Sequence, residues 1–331
     1  MSFKRLDPED ISISAEAISA PLWSTGTANL TTFITSSNQV SGPTGEYYYK
    51  VYDSVSYLNT QFSITFGNKN GGGTKLYYTG APGKSPSSTI YGQFRNLVFG
   101  DEDTDFVFGT VTQESIYAIT FDRARYKEKL LPGSFNITLE DTIGNTIQLT
   151  DNSKDISTVS YVDAGRVYEL VSGSNGNAYS GAGDTIAGSY GKFLPDVGVV
   201  VLNAAALDLA SPFGVSLGTD VTANTPCQNI DKLYSVIAQG ASSDALSEET
   251  VSSNYVFVRV RNSEFNYSTN PSNITGSGEL RHSIMVNTPQ AYITTVGLYN
   301  DSNDLLAVAK LSKPLLKDFT KEALVRIKLD Y

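Results

Sequence analysis

The chain of 331 residues has few of the side chains that most often carry out catalysis, with one histidine, His282, and one cysteine, Cys227. Histidine and cysteine titrate close to neutral pH, so they supply most general acid–base and nucleophilic chemistry. A Ser-His-Asp triad needs a histidine held by a carboxylate, and a four-ligand zinc site needs several Cys or His. The sequence therefore predicts a protein that is not an enzyme, with no catalytic residue and no cofactor.

Charged side chains are also scarce. They make up 18% of the chain, whereas about 25% is typical of soluble proteins. The net charge is −10, and a broad acidic surface repels phosphate backbones, so the sequence predicts no nucleic-acid partner. A polar surface made mainly of uncharged Ser, Thr, Asn and Gln favours a protein that other subunits cover.

Long apolar runs and disulfide partners are missing too. No stretch approaches about 18 uninterrupted apolar residues, the length of a membrane-spanning helix. The first 23 residues include six charged side chains and no apolar run typical of a signal peptide. A single cysteine cannot form an intrachain disulfide. We therefore expect no membrane partner and a protein that need not mature in an oxidising compartment.

The residues that are abundant favour β-structure. The chain has 20 Tyr and 28 Gly, and residues 61–66, 254–261 and 322–331 alternate apolar and polar side chains as half-buried strands do. Gly144 and Asn145 separate two further strand patterns as in a β-hairpin. The predicted fold is mainly β, with antiparallel sheets in a sandwich or barrel-like arrangement, one or two short helices and an extended N-terminal arm.

Local patterns divide the chain into three predicted parts: an arm at 1–40, a β-rich domain at 41–150, and a second β-rich part at 151–331. The last part contains a helix at 229–239, whose apolar residues share one face and which ends before Gly240. It also contains a hairpin of strands 292–299 and 305–311, which Pro314 should end, followed by a C-terminal strand. Residues 96–100 and 105–109 are predicted as short strands around an acidic turn.

Three groups of residues are candidate sites. Asp101, Asp103 and Asp105 alternate along the chain and could hold a cation through carboxylate oxygens, but the sequence favours a solvated acidic turn, because Phe106 and Thr112 stand where an EF-hand loop needs Gly and Glu. The other two groups are candidates for a subunit interface: Tyr47, Tyr48 and Tyr49 in one, and Arg123, Arg125 and Lys127 in the other. Core packing of the tyrosines and a solvated face for the basic run are the alternatives. Tyrosine buries a large area and keeps a polar tip, and a basic cluster can dock an acidic partner.

Two enzyme-like patterns are incomplete. Residues 83–85 (Gly-Lys-Ser) end like a phosphate-binding loop, but Tyr78 stands where that loop needs its first glycine, and Pro82 removes a backbone donor. Carboxylates such as Asp101, Glu140 and Asp141 could serve glycoside hydrolysis only if two of them faced each other across a cleft, and no pattern indicates this.

Six stretches of the chain resemble one protein family: residues 3–11 (FKRLDPEDI), 91–105 (YGQFRNLVFGDEDTD), 123–135 (RARYKEKLLPGSF), 163–173 (DAGRVYELVSG), 264–272 (EFNYSTNPS) and 292–331. They look like a virion structural protein of contractile-tailed (myovirus-type) phages, chiefly cyanophages. The resemblance implies a particle component of tail, baseplate or neck, assembled in the bacterial cytoplasm from copies of itself and other virion proteins. It supplies no catalytic residues.

Two alternatives stay open from the sequence. One is a capsid or neck decoration protein, which differs from a tail component in its copy number per particle. The other is a receptor-binding module whose tyrosines hold a host surface glycan.

Overall fold

A computed structural model describes residues 6, 8–21, 33–35, 47–53, 60–74, 85–181, 183–222, 227–240 and 242–330. The fold is mainly β with antiparallel sheets, as predicted, and the described residues include four short α-helices. The strands are β1 (Ile11–Pro21), β2 (Phe33–Thr35), β3 (Tyr48–Asp53), β4 (Thr60–Asn68), β5 (Phe106–Phe108), β6 (Val111–Gln113), β7 (Ser115–Phe121), β8 (Lys129–Leu130), β9 (Asn136–Glu140), β10 (Thr146–Asp151), β11 (Ser160–Val162), β12 (Gly165–Ser174), β13 (Asn177–Ala178), β14 (Gly191–Leu194), β15 (Val199–Asn203), β16 (Ser242–Asp244), β17 (Ser247–Val260), β18 (Gln290–Tyr299), β19 (Leu305–Asp318) and β20 (Ala323–Asp330). The helices are α1 (Pro86–Phe99), α2 (Ala204–Leu207), α3 (Gln228–Gly240) and α4 (Ser283–Asn287), with 3-10 turns at Pro8–Asp10 and Arg123–Arg125.

The chain divides into two compact units. Unit 1 comprises Met1–Ser19 and Thr250–Tyr331, and unit 2 comprises Ala20–Glu249. Unit 2 therefore runs across the predicted boundary between residues 150 and 151. Of the predicted arm, β1 is a strand in the same sheet as β17 and β20, and β2 pairs with β3. Residues 1–5, 7, 22–32 and 36–40 of the arm lie outside the described part of the chain.

A curled half-barrel sheet forms the frame of unit 2. Its order is β16-β9-β10-β12-β14-β15-β7-β4-β3-β2, and every neighbouring pair on this path is antiparallel. The predicted alternation of β4 is confirmed, since Phe62, Ile64 and Phe66 all enter one core cluster. Strand β15 is buried on both faces, with Val200 in that cluster and Val201 in a second one.

Helices cover parts of this sheet. The predicted helix is confirmed as α3, which packs on β9 and β4. The predicted strand at 96–100 is wrong, because these residues end α1. That helix begins at the N-cap Ser85, with Pro86 in its first turn, and ends at Gly100, whose φ of 71° is left-handed. The cap residues outweigh the β preference of Val98 and Phe99.

Unit 1 is built on strands β1, β17 and β20, and on the hairpin β18–β19. Val256 and Val258 of β17 and Val325 and Ile327 of β20 are buried together, so the alternation predicted for these strands is confirmed. One face of the hairpin packs on this cluster through four side chains, namely Val296, Leu298, Ala309 and Leu311. The predicted end at Pro314 is wrong: β19 continues to Asp318 through a register shift that accommodates the proline.

Candidate functional site

The three aspartates of the candidate cation site serve different local contacts. Asp101 accepts hydrogen bonds from the backbone N–H of Asp103 (2.7 Å) and Thr104 (2.6 Å), and from the Thr104 hydroxyl. These bonds hold the pKa of Asp101 below its ordinary value. Asp105 pairs instead with Lys69 at 2.7 Å. In the described part of the chain no group of three or more His, Cys, Asp or Glu is arranged to hold a metal ion.

The tyrosine run lies mostly within the fold of unit 2. Tyr49 is buried, donates a hydrogen bond to Asp231, and meets the ring of Tyr234 edge-on with 6.3 Å between centroids. Burial, followed by the Asp231 contact, raises the pKa of Tyr49. Tyr47 and Tyr48 are half-buried. Tyr49 therefore links β3 to α3.

The basic run also has partners within unit 2. The Arg123 guanidinium lies over the Tyr126 ring, 4.6 Å from its centroid, and donates a hydrogen bond to the Tyr126 carbonyl. Lys127 pairs with Glu249 at 2.7 Å. Arg125 is half-buried. Arg123 and Lys127 thus stabilise the turn around Tyr126, and both remain exposed at the surface.

The remaining sequence candidates have local structural contacts or none. Asp141 accepts hydrogen bonds from the backbone of Ile143 and Asn145 and so closes the β9–β10 turn. Of residues 83–85, only Ser85 is described, and it caps α1. His282 is exposed and precedes α4 without a side-chain cap bond.

Cys227 is a core residue of unit 2. Burial raises the pKa of its thiol to about 12, so it is protonated at neutral pH. A cavity of about 10 Å³ lies beside it, lined in part by Phe66 and Asn229. That volume is close to the least that holds one water molecule.

A partly buried ion network ties β12 to β17 within unit 2. The Arg166 guanidinium donates to Asp196 at 2.7 Å and to Glu248 at 2.8 Å, and Glu248 is almost fully buried. Burial alone would raise the pKa of Asp196. Hydrogen bonds from the Arg166 side chain and backbone outweigh that effect, so the pKa lies below its ordinary value. Each charge is paired, which is typical of a structural network.

Unit 1 contains a buried lysine. Lys317 of β19 is fully buried and donates to the Asn262 carbonyl (3.1 Å), the Asn266 side-chain oxygen (2.6 Å) and the Asp318 carbonyl (2.8 Å). Burial lowers its pKa. The ammonium group thereby anchors the loop that follows β17, within the stretch that carries the family resemblance.

The apolar surface of unit 1 is unusually exposed. On the face of the hairpin opposite its core contacts, the exposed fractions are 64% for Tyr292, 68% for Leu306 and 57% for Val308. In the adjoining helix α4, Ile284 and Val286 are 71% and 62% exposed. Single exposed apolar residues are ordinary, but a group of large ones in adjacent elements is typical of an interaction surface. We call Tyr292, Leu306 and Val308 the hairpin face.

The two strands of the hairpin differ in how their edges are protected. Edge strands usually carry lysine, proline or another charge that discourages pairing with a further strand. Strand β19 has Lys310, Lys313 and Pro314, whereas none of the ten residues of β18 is charged or proline. Within the described residues β18 pairs with β19 alone. Among the described residues, β18 is therefore an edge strand that neither charge nor proline protects from further pairing.

Charge is divided unequally between the units. Unit 1 contains 11 Lys and Arg against 11 Asp and Glu, whereas unit 2 contains 13 against 23. The entire net charge of −10 thus belongs to unit 2. An association through unit 1 avoids the repulsion between like-charged surfaces that an association through unit 2 would meet.

The sequence predicted the hairpin but not which of its faces is exposed. It placed the candidate interface on tyrosines and basic residues, of which Tyr49, Arg123 and Lys127 have partners within unit 2. The sequence signal for this edge is the lack of charge and proline in residues 290–299, compared with the three lysines and the proline of residues 305–318.

Comparison with protein-family models, with curated proteins and with solved structures finds no match to this chain. Among the described residues, no helix combines the length and the apolar character needed to cross a bilayer.

Proposed function

We propose that this protein is a non-enzymatic structural component of a tailed-phage virion, in its tail, baseplate or neck, and that it acts by assembling with other subunits. The observation that carries the proposal is the exposed hairpin face on a unit with no net charge. A surface of this kind favours burial against a protein partner. The family resemblance of residues 264–272 and 292–331 falls in the same unit.

The buried polar chemistry supports the same proposal. Arg166, Asp196 and Glu248 bind one another, and Lys317 binds acceptors of its own loop. These groups are engaged in holding the fold, whereas an active site commonly keeps perturbed groups accessible in a cleft.

Quantitative mass spectrometry of particles purified from lysates of the source culture tests the proposal. We expect peptides of this chain to co-purify with tailed particles through a density gradient, at a copy number that is a small multiple of six. Hundreds of copies per particle would favour the decoration protein. Peptides that stay in the particle-free fractions would refute a virion role.

A further inference from the structure

We propose that the outer edge of β18 pairs antiparallel with β18 of a second copy of this chain, about a twofold axis between Thr294 and Thr295. The inference rests on the proposed function, because it names the partner of the same surface. Two hairpins would then form one four-stranded sheet with the order β19-β18-β18-β19.

The backbone of β18 is available for this pairing. An unpaired strand edge presents a row of N–H and C=O groups that a further strand can satisfy. Strand β18 spans Gln290–Tyr299, and on its outer side no other described strand is paired with it. Ten residues make a longer edge than the strand of about five or six residues that is usual in globular proteins.

The burial pattern of β18 favours a copy of itself as the partner. Gln290, Tyr292 and Thr294 are exposed in the first half, and the alternation then changes phase, so that Thr295, Gly297 and Tyr299 are exposed in the second half. Antiparallel pairing about the central Thr294–Thr295 bond sets exposed residues opposite exposed residues. It also sets half-buried Ile293 opposite half-buried Val296. The exposed residues of both copies therefore share one face of the joined sheet, and the half-buried residues share the other.

Side-chain shape agrees with this register. Tyr292 comes opposite Gly297 of the second copy, which has no side chain to obstruct it. The ring of Tyr299 lies beside that glycine, so the two tyrosines meet across the joined strands. Tyr292 would then lose much of its 64% exposure to water.

Charge also favours a second copy. A twofold axis brings each residue close to its own copy, so any charge near the axis repels itself. Strand β18 has no charged residue, and unit 1 has equal numbers of acidic and basic residues. Self-association at this edge therefore meets no like-charge repulsion along the paired strand.

Sedimentation equilibrium of the purified full chain tests the pairing. We expect a dimer whose Kd rises at least about tenfold in Thr294→Lys, because two like charges then meet at the axis. The matched control is Ser312→Lys, which adds the same charge at an exposed position of β19, and we expect its Kd to stay that of the wild type. A monomeric wild type, or equal effects of both lysines, would overturn the inference.

Disulfide cross-linking tests the direction of the strands. Antiparallel pairing brings the two Thr294 Cα atoms to roughly 6 Å, within disulfide range, but separates the two Gln290 Cα atoms by roughly 30 Å. Thr294→Cys should therefore form an oxidised dimer and Gln290→Cys should not. Cross-linking of both variants would indicate parallel strands, and cross-linking of neither would exclude this edge; both results overturn the inference. The native Cys227 is buried and does not compete.

The outcome is separable from that of the proposed function. A β18-dependent dimer of a chain that is absent from particles would leave the pairing standing and refute the virion role. A chain that is present in particles, but is monomeric in solution and forms no Thr294→Cys cross-link in solution, would support the virion role and refute the pairing.

Discussion

At the scale of single residues, several buried or half-buried ionisable groups are held by internal hydrogen bonds. Arg166 is paired with two carboxylates, Lys317 has three oxygen acceptors, and Asp151 accepts from the backbone of Gly133 and Ser153. Removing one partner of such a contact leaves the other buried and unsatisfied, which is why these positions should be sensitive to substitution.

Replacing Lys317 should destabilise unit 1. Lys317→Met removes the donor for three oxygen acceptors and keeps the apolar stem, so we expect the free energy of unfolding to fall by about 1–3 kcal/mol in urea titrations followed by circular dichroism. The control is Lys310→Met, because Lys310 lies on the same strand and is exposed. It should change the free energy of unfolding by less than about 0.5 kcal/mol. Equal losses in the two variants would contradict the anchoring role of Lys317.

The ion network of unit 2 should make stability depend on pH. The pKa of Asp196 in the folded protein lies below its unfolded value near 3.8, so between these values the unfolded chain binds more protons. The stabilisation is therefore present at neutral pH and is lost as pH falls below about 3.8. We expect Asp196→Asn to lower the free energy of unfolding by about 1–3 kcal/mol at neutral pH, and by much less in acid. A deficit that is independent of pH would show that the carboxylate charge is not responsible.

At the scale of elements, apolar alternation predicts the strands well. Where the local residues suit both a strand and a helix, the residues that cap a helix determine which one forms. β4, β17 and β20 follow their apolar patterns because the alternating apolar side chains of each enter a core cluster. The residue types at 96–99 suit a strand, yet Ser85, Pro86 and Gly100 fix the two ends of helix α1, which includes them. Such cap signals lie up to 15 residues from each other, so a local reading of a few residues misses them.

Two glycines of α1 should respond oppositely to alanine. Gly92 lies inside the helix with open space where a Cβ would stand, so Gly92→Ala should stabilise the protein by about 0.5–1 kcal/mol. Gly100 has a φ of 71°, and its Cβ would meet the Asp163 carboxylate, so Gly100→Ala should destabilise it by about 1–2 kcal/mol or more. Thermal unfolding measures both, and a shift of the same sign in the two variants would contradict this assignment of the helix end.

The candidate site was predictable only in part. The pattern of residues 292–311 predicts a hairpin. Which of its faces is buried depends on long-range contacts of Val296 and Leu298 with β17 and β20. Conversely, Tyr49 has the composition of an interface residue, and only the fold brings it to Asp231, which is 182 residues away in sequence. Exposure is set by the tertiary structure, so a local pattern cannot assign it.

At the scale of the whole molecule, the chain combines a neutral unit that exposes apolar side chains with a unit that holds the entire net charge. The negative charge of unit 2 makes copies of the chain repel one another, whereas unit 1 adds no net charge to that repulsion. The absence of charge along β18 has a direct consequence for salt dependence.

Dimer affinity should respond little to ionic strength. If the contact is the uncharged edge of β18, raising the salt concentration should change Kd by less than about threefold, because few charges at the contact are screened. Sedimentation equilibrium over a range of sodium chloride concentrations measures this. A dimer that dissociates steeply with added salt would indicate that ion pairs, and thus another surface, hold the copies together.

The measurement that tests the central claim most directly is a cryo-electron microscopy reconstruction of tailed particles purified from the source culture. The claim predicts density for this chain in the tail, baseplate or neck, with the β18 edges of two copies paired and the hairpin face covered by protein. Particles that lack the chain, or that hold it with the hairpin face and the β18 edge both open to solvent, would contradict it.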